Sequence, residues 1–211
     1  MSILEDISEQ VQKGKRKAVK QLVQQALDEG VPAEQILSEG LLAGMDVIGV
    51  KFRNNEVFVP DVLVTARAMN TGTELLKPYM SDENAVSRGK ICLGTVAGDL
   101  HDIGKNLVRI MFEGKGFTVI DLGVDVPPEK FIETAINEEC QIIACSALLT
   151  TTMPAMAEVV KAAEEAGIRD KVIIMIGGAP VTQEFCDSIG ADAYTEDAAS
   201  AAARAIELLA G

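Results

Sequence analysis

The chain has a single histidine in 211 residues and four cysteines, Cys92, Cys140, Cys145 and Cys186, with no CxxC pair among them. A structural zinc site would have to be gathered from scattered ligands, and a chain this long gains no disulfide framework from four thiols. Cys92 and Cys145 lie inside apolar, strand-like runs, which reads as buried reduced thiols. No apolar run approaches the roughly 20 residues of a membrane span. The start, MSILEDISEQ, has no basic stretch followed by an apolar one, so no secretion signal is expected, and the chain is expected in the cytoplasm. Cations are scarce: 19 Lys+Arg stand against 32 Asp+Glu, a formal charge of -13. Phosphate backbones and anionic lipid would repel such a chain, which disfavours nucleic-acid and membrane partners. Internal repeats and low-complexity tracts are also missing, and the balance of 48% apolar and 24% charged residues is that of a globular protein.

The pattern that is present changes near residue 85. Before it, apolar residues recur at helical spacing. Leu4, Ile7 and Val11 predict a first helix, and Val19, Leu22, Val23, Ala26 and Leu27 a second, closed by Gly30. Pro32 heads a third, carrying Ile36, Leu37, Leu41, Met45 and Ile48. Pro60 heads a fourth, with Val62, Leu63, Ala66, Met69 and Leu76. Together these predict a four-helix bundle over 1–88, with a polar linker at about 81–89. From 89 to 211 the chain alternates. Strands are predicted at Ile91–Val96, Thr118–Asp121, Ile142–Ser146, Val172–Ile176 and Ala193–Tyr194, with helices at about 104–115, 128–139, 153–166, 181–188 and 197–209. That alternation predicts an α/β fold with a five-stranded parallel sheet and helices on both faces, Rossmann-like or flavodoxin-like. Ligands of such sheets sit beyond the C-terminal strand ends.

Three strand-end segments carry candidate chemistry. The first reads Gly98-Asp99-Leu100-His101-Asp102-Ile103-Gly104 and lacks both the GxGxxG and the GxxxxGK[ST] phosphate signatures. It sets the one histidine two residues after an acid. Asp99 can accept a hydrogen bond from one ring nitrogen and leave the other for a metal; the plain alternative is a solvated histidine. The second gathers Ser146, Thr150, Thr151 and Thr152, four hydroxyls in seven residues. A helix N-cap would account for one of them. The third, Gly177-Gly178, fits either a tight turn or the close approach of a ligand.

Taken together, DxHxxG, SxL and GG at successive strand ends resemble the cobalamin-binding domain of methionine synthase, of coenzyme-dependent mutases and of corrinoid methyl-carrier proteins. Residues Leu41-Leu42-Ala43-Gly44-Met45, Gly49, Phe52, Glu56, Phe58-Val59-Pro60 and Ala66-Arg67-Ala68-Met69 resemble the helical cap that precedes it. The chain is similar to the free-standing corrinoid proteins of methyltransferase systems, which comprise a cap and a binding domain alone.

That resemblance implies a cobamide, cobalamin or a relative, with His101 as the lower axial ligand of cobalt and Asp99 hydrogen-bonded to the far ring nitrogen. Thr152 stands where methionine synthase has a serine in the relay. Gly104, Ser146, Leu148, Thr150, Gly177 and Gly178 match the slot for the detached nucleotide tail, with Ala198 at its far end. Gly98, Leu100, Asp102 and Ile103 complete the loop, and Phe52 and Val59 match residues that shield the methyl-bearing face. The implied role is a methyl carrier, without turnover of its own, whose cobalt cycles between Co(I) and methyl-Co(III). The implied partners are a substrate:corrinoid methyltransferase, a second methyltransferase with tetrahydrofolate or coenzyme M as acceptor, and a reductive activase. The competing readings are the binding subunit of an adenosylcobalamin-dependent mutase, a cobalamin-sensing repressor and a receiver domain. The repressor would need a basic DNA-reading segment, and the receiver a lysine at the fifth strand end; the chain offers neither.

Overall fold

The computed structural model describes residues 2–80 and 87–210. The stretch 81–86, most of the expected linker, lies outside the described residues. The chain divides into two compact units, Met1–Val86 with Gly114–Gly116, and Ser87–Glu113 with Phe117–Gly211. Among the described residues, no helix is long and apolar enough to cross a membrane.

The first unit is helical. α1 (Ile3–Gln12) starts at a reciprocal cap: the Glu5 N–H donates to Ser2 Oγ, and the Ser2 N–H donates to Glu5 Oε2. Ile7 and Val11 are its buried stripe, and Val19, Val23 and Ala26 are that of α2 (Arg16–Asp28). The predicted third helix is a continuous helical run in three parts. These are α3 (Ala33–Gln35), a π-helical segment (Ile36–Leu42) and α4 (Ala43–Arg53). Over seven residues, apolar spacing does not separate a four-residue from a five-residue hydrogen-bond step, so the sequence reads as a plain α-helix there. Gly44, just past the wide turn, lies against α1; a Cβ there would stand 2.8 Å from the Ser8 carbonyl oxygen. α5 (Val59–Leu76) starts with the Phe58 N–H donating to Asp61 Oδ2, and buries Val62, Ala66, Met69 and Leu76.

The second unit is a five-stranded sheet in the order β2-β1-β3-β4-β5, every pairing parallel. Its strands are β1 (Lys90–Val96), β2 (Thr118–Val126), β3 (Ile142–Ser146), β4 (Ile173–Gly177) and β5 (Ala193–Tyr194). α6 (Ile103–Gly114), α7 (Pro128–Asn137), α8 (Pro154–Glu165), α9 (Gln183–Ile189) and α10 (Ala198–Ala210) supply the connections. Strands β1, β3 and β4 are covered on both faces, which is why each reads as an unbroken apolar run. β2 runs to Val126, five residues past its expected end. Asp121, Gly123 and Asp125 break its apolar pattern, but an edge strand tolerates polar residues, and two register shifts against β1 absorb the irregularity. The core packs Phe131, Ile143, Met156, Val159 and Ile174 around Cys92. All four cysteines are unbridged and buried, and burial pushes the Cys145 thiol up to about 12.

In this strand order, the chain reverses direction across the sheet between β1 and β3. Sheets of this order bind ligands in the crevice beyond the C-terminal strand ends at that switch point.

Candidate functional site

β1 ends at Val96, whose carbonyl accepts the Asp99 N–H at 3.1 Å. The turn delivers the Asp99 side chain into the crevice, where it is fully buried. Its Oδ1 accepts the His101 N–H at 3.0 Å and His101 Nδ1 at 2.7 Å. Its Oδ2 accepts the Leu148 N–H and the Thr152 hydroxyl, each at 2.8 Å. One carboxylate thus ties the β1 loop to the β3 loop. The His101 carbonyl accepts the hydroxyl of Thr95, which is fully buried in β1. The imidazole itself is 50% exposed. With Nδ1 donating to an ionised Asp99, a neutral ring carries its lone pair on Nε2, the nitrogen outside this bond.

Burial pushes the Asp99 carboxyl up. The N–H groups of Leu148 and His101, the His101 ring and the Thr152 hydroxyl outweigh it and hold the group well below the usual carboxylate range. A depressed folded-state value stabilises the fold above the unfolded value of about 3.9, and that contribution fades as pH falls through the folded value. Asp99→Asn is therefore expected to be less stable than the parent at pH 7, with the gap closing below about pH 4. Urea denaturation at a series of pH values checks this, and a gap independent of pH would contradict it.

The other expected residues distribute unevenly. Leu100 and Ile103 project from the histidine loop and are 72% and 80% exposed. Leu148 and Leu149, on the facing loop, are also exposed. Asp102 immediately precedes α6: its carbonyl accepts the Asn106 N–H at 2.8 Å, and its carboxylate accepts the Asn106 side-chain amide at 3.1 Å. Gly104 stands in the first turn of α6, and a Cβ there would meet nothing within 4 Å. Ser146 lies in register between Thr95 of β1 and Gly177 of β4, a row along the C-terminal edge of the sheet. Thr150 is exposed. Thr152 is not a helix cap, because α8 starts without a side-chain cap, and the hydroxyl serves Asp99 instead. Gly178 has its own structural reason: at φ +137°, a Cβ would fall 1.8 Å from the Ala147 carbonyl oxygen. Ala198 is buried at the start of α10. Phe52 and Val59 belong to the first unit, where both are half-buried, at the end of α4 and the start of α5.

Three residues of this neighbourhood carry no sequence motif. Besides Thr95, these are Asp125, whose carboxylate accepts the Gly98 N–H at 2.7 Å, and Lys105, buried and bonded to Asp121 Oδ1 at 2.6 Å. Two acids four residues apart in the otherwise apolar run from Thr118 to Val126 are the only signal for β2's part in the site.

A flavodoxin-like sheet that presents a carboxylate-held imidazole at its switch point defines a ligand-binding α/β domain. Comparison with known proteins supplies the family. Residues 89–204 match the family described as B12 binding domain, and residues 3–77 match a second family of the same description. The chain belongs to this B12-binding family, and its relatives are corrinoid proteins of methyltransferase systems. It is 44% identical over 209 residues to dimethylamine corrinoid protein 1 of Methanosarcina acetivorans, covering 99% of this chain and 98% of the relative. Among solved structures it is similar to the methanol:cobalamin methyltransferase complex MtaBC from Methanosarcina barkeri. There the TM-score is 0.90 and the identity 32%, over 99% of this chain and 80% of that one. A cobalamin-binding protein from Desulfitobacterium hafniense gives a TM-score of 0.81 at 30% identity, over 99% of this chain and 98% of that one.

Proposed function

We propose that this protein is a methyl carrier that holds a corrinoid at the C-terminal ends of β1 and β3, where His101 Nε2 would ligate the cobalt. The half-exposed imidazole aimed by a buried carboxylate carries this reading. The surroundings fit the group: Leu100, Ile103, Leu148 and Leu149 offer exposed apolar surface to a macrocycle. The open space at Gly104 leaves room for a ligand to meet the backbone. When bound, the corrinoid supplies a metal that accepts a methyl group from one partner and yields it to another.

In this reading the protein's own residues orient and shape. Asp99 fixes the tautomer and tilt of His101, and Thr152 fixes Asp99 from behind. Gly98 and Asp102 set the ends of the histidine loop. Gly104, Ser146, Leu148, Thr150, Gly177, Gly178 and Ala198 are the proposed slot for the nucleotide tail. Phe52 and Val59 are proposed to shield the methyl-bearing face, a role that rests on the resemblance. Residues 1–88 are then proposed as the cap and residues 89–211 as the carrier.

Methylamines are the donor class its relatives favour, and a methylamine:corrinoid methyltransferase is the proposed donor partner. A second methyltransferase would take the methyl group to a tetrahydrofolate or a thiol acceptor, and a reductive activase would restore the carrier. A cytoplasmic setting goes with these partners. The mutase alternative is not favoured, since the relatives are carrier proteins.

Reconstitution tests the proposal. The full chain mixed with hydroxocobalamin should retain one corrinoid per chain. After reduction it should take up methyl from a methylamine only when the methyltransferase is added. A chain that retains no corrinoid, or one that demethylates methylamines unaided, would overturn it.

A further inference from the structure

Asp125 has a backbone that few residues adopt. Its φ is +53°, in the left-handed region, although it has a Cβ. Two hydrogen bonds compensate, and both go to the histidine loop. The Asp125 N–H donates to the Asp99 carbonyl at 2.9 Å, and the Asp125 carboxylate accepts the Gly98 N–H at 2.7 Å. The pair brackets the Gly98–Asp99 peptide from the edge strand β2.

The bracket matters because of what Asp99 already does. Its N–H is held by Val96, and its carboxylate oxygens reach His101 on one side and Leu148 and Thr152 on the other. A carboxylate aims a ring only if its own main chain is fixed, and the carbonyl end of Asp99 is fixed by Asp125 alone among the described hydrogen bonds. We infer that Asp125 is a positioning residue for His101: from β2 it locks the peptide whose side chain sets the angle of the imidazole. This inference deepens the reading of His101 as the cobalt ligand and rests on it for its functional meaning.

The test uses the full chain and three variants. Asp125→Gly deletes the carboxylate while suiting the left-handed backbone, Asp125→Asn keeps an acceptor oxygen and tolerates that backbone, and His101→Ala serves as the ligand control. With one histidine in the chain, the ring nitrogens give a single set of NMR signals. In the cofactor-free protein, Asp125→Gly is expected to shift those signals and to speed Gly98 amide exchange on the order of tenfold. Asp125→Asn is expected to restore both. In the corrinoid-loaded protein, Asp125→Gly should raise the histidine-off fraction of the visible spectrum. Ring signals and Gly98 exchange identical to the parent in Asp125→Gly would overturn the inference, as would an Asp125→Asn protein that behaves like Asp125→Gly. If Asp125→Gly does not fold, Asp125→Ser, whose shorter side chain falls short of the Gly98 N–H, takes its place. The same shifts are then expected of it, and parent-like signals in it overturn the inference equally. Failure of the ligand reading shows separately, as an unchanged loaded spectrum in His101→Ala while the cofactor-free signals of Asp125→Gly still move.

Discussion

His101→Ala, loaded with hydroxocobalamin, is expected to keep some corrinoid but to show the histidine-off visible spectrum, and methyl transfer should fall by about 100-fold or more. The magnitude follows from the chemistry of metal-bound histidines. Removing an outer partner of such a ligand commonly costs about 10- to 100-fold, and removing the ligand itself costs at least as much. Retention is expected because the proposed slot, lined by Ser146, Thr150 and Gly177, and the apolar residues Leu100, Ile103, Leu148 and Leu149 remain. Free imidazole added to the variant should return the missing ligand and with it part of the parent spectrum. A variant whose loaded spectrum matches the parent's removes His101 from the metal and ends the proposal in its present form. Because the chain has one histidine, no second imidazole of the protein can substitute for it.

Gly178→Ala is expected to be the most damaging single-methyl change in the second unit. The added Cβ would fall 1.8 Å from the Ala147 carbonyl oxygen, at a φ of +137° that an alanine resists. Neither group is a flexible side-chain end, so the backbone of the β3 loop or the β4 loop must move. Overpacking and backbone strain each typically cost about 1–3 kcal/mol, which together predict a loss of about 2–6 kcal/mol. Ala147 leads directly to Leu148, whose N–H holds Asp99, so the displacement should also loosen corrinoid retention. Gly177→Ala is the internal comparison. Its Cβ would stand 3.8 Å from the Thr195 carbonyl oxygen, an ordinary contact, and its stability should change by less than about 1 kcal/mol. Urea denaturation of the two variants side by side measures the difference, and equal losses would contradict the packing argument.

Much of this architecture is visible in residue order. The buried strands β1, β3 and β4 announce themselves as apolar runs, and the helices between them by their 3.6-residue period, because both signals arise from local burial. The π-helical segment does not, since its one-residue difference in hydrogen bonding leaves the apolar spacing almost unchanged. β2 reads as a shorter strand because polar residues on an edge strand look like a turn. At the site, Asp99 and His101 are two residues apart and are found together. The bond from Thr152 to Asp99 spans 53 positions, and resemblance to a family suggests it where spacing alone does not. Asp125 escapes notice because its partner, Gly98, lies 27 residues earlier and meets it only through sheet pairing. Gly178 reads as a turn or a ligand contact, and its closeness to Ala147 is legible only once the two loops are side by side.

The carboxylates of β2 have one more consequence. The strand lies at the border of the sheet, with its outer row of N–H and C=O groups unmatched by any neighbouring strand among the described residues. Such a row invites a stranger's extended segment to dock and seed aggregation. The register shifts twist that row out of line, and Asp121 and Asp125, bonded inward to Lys105 and to the Gly98 N–H, are the kind of charged residue that an invading strand does not match, so the irregularity of β2 also guards the border of the sheet.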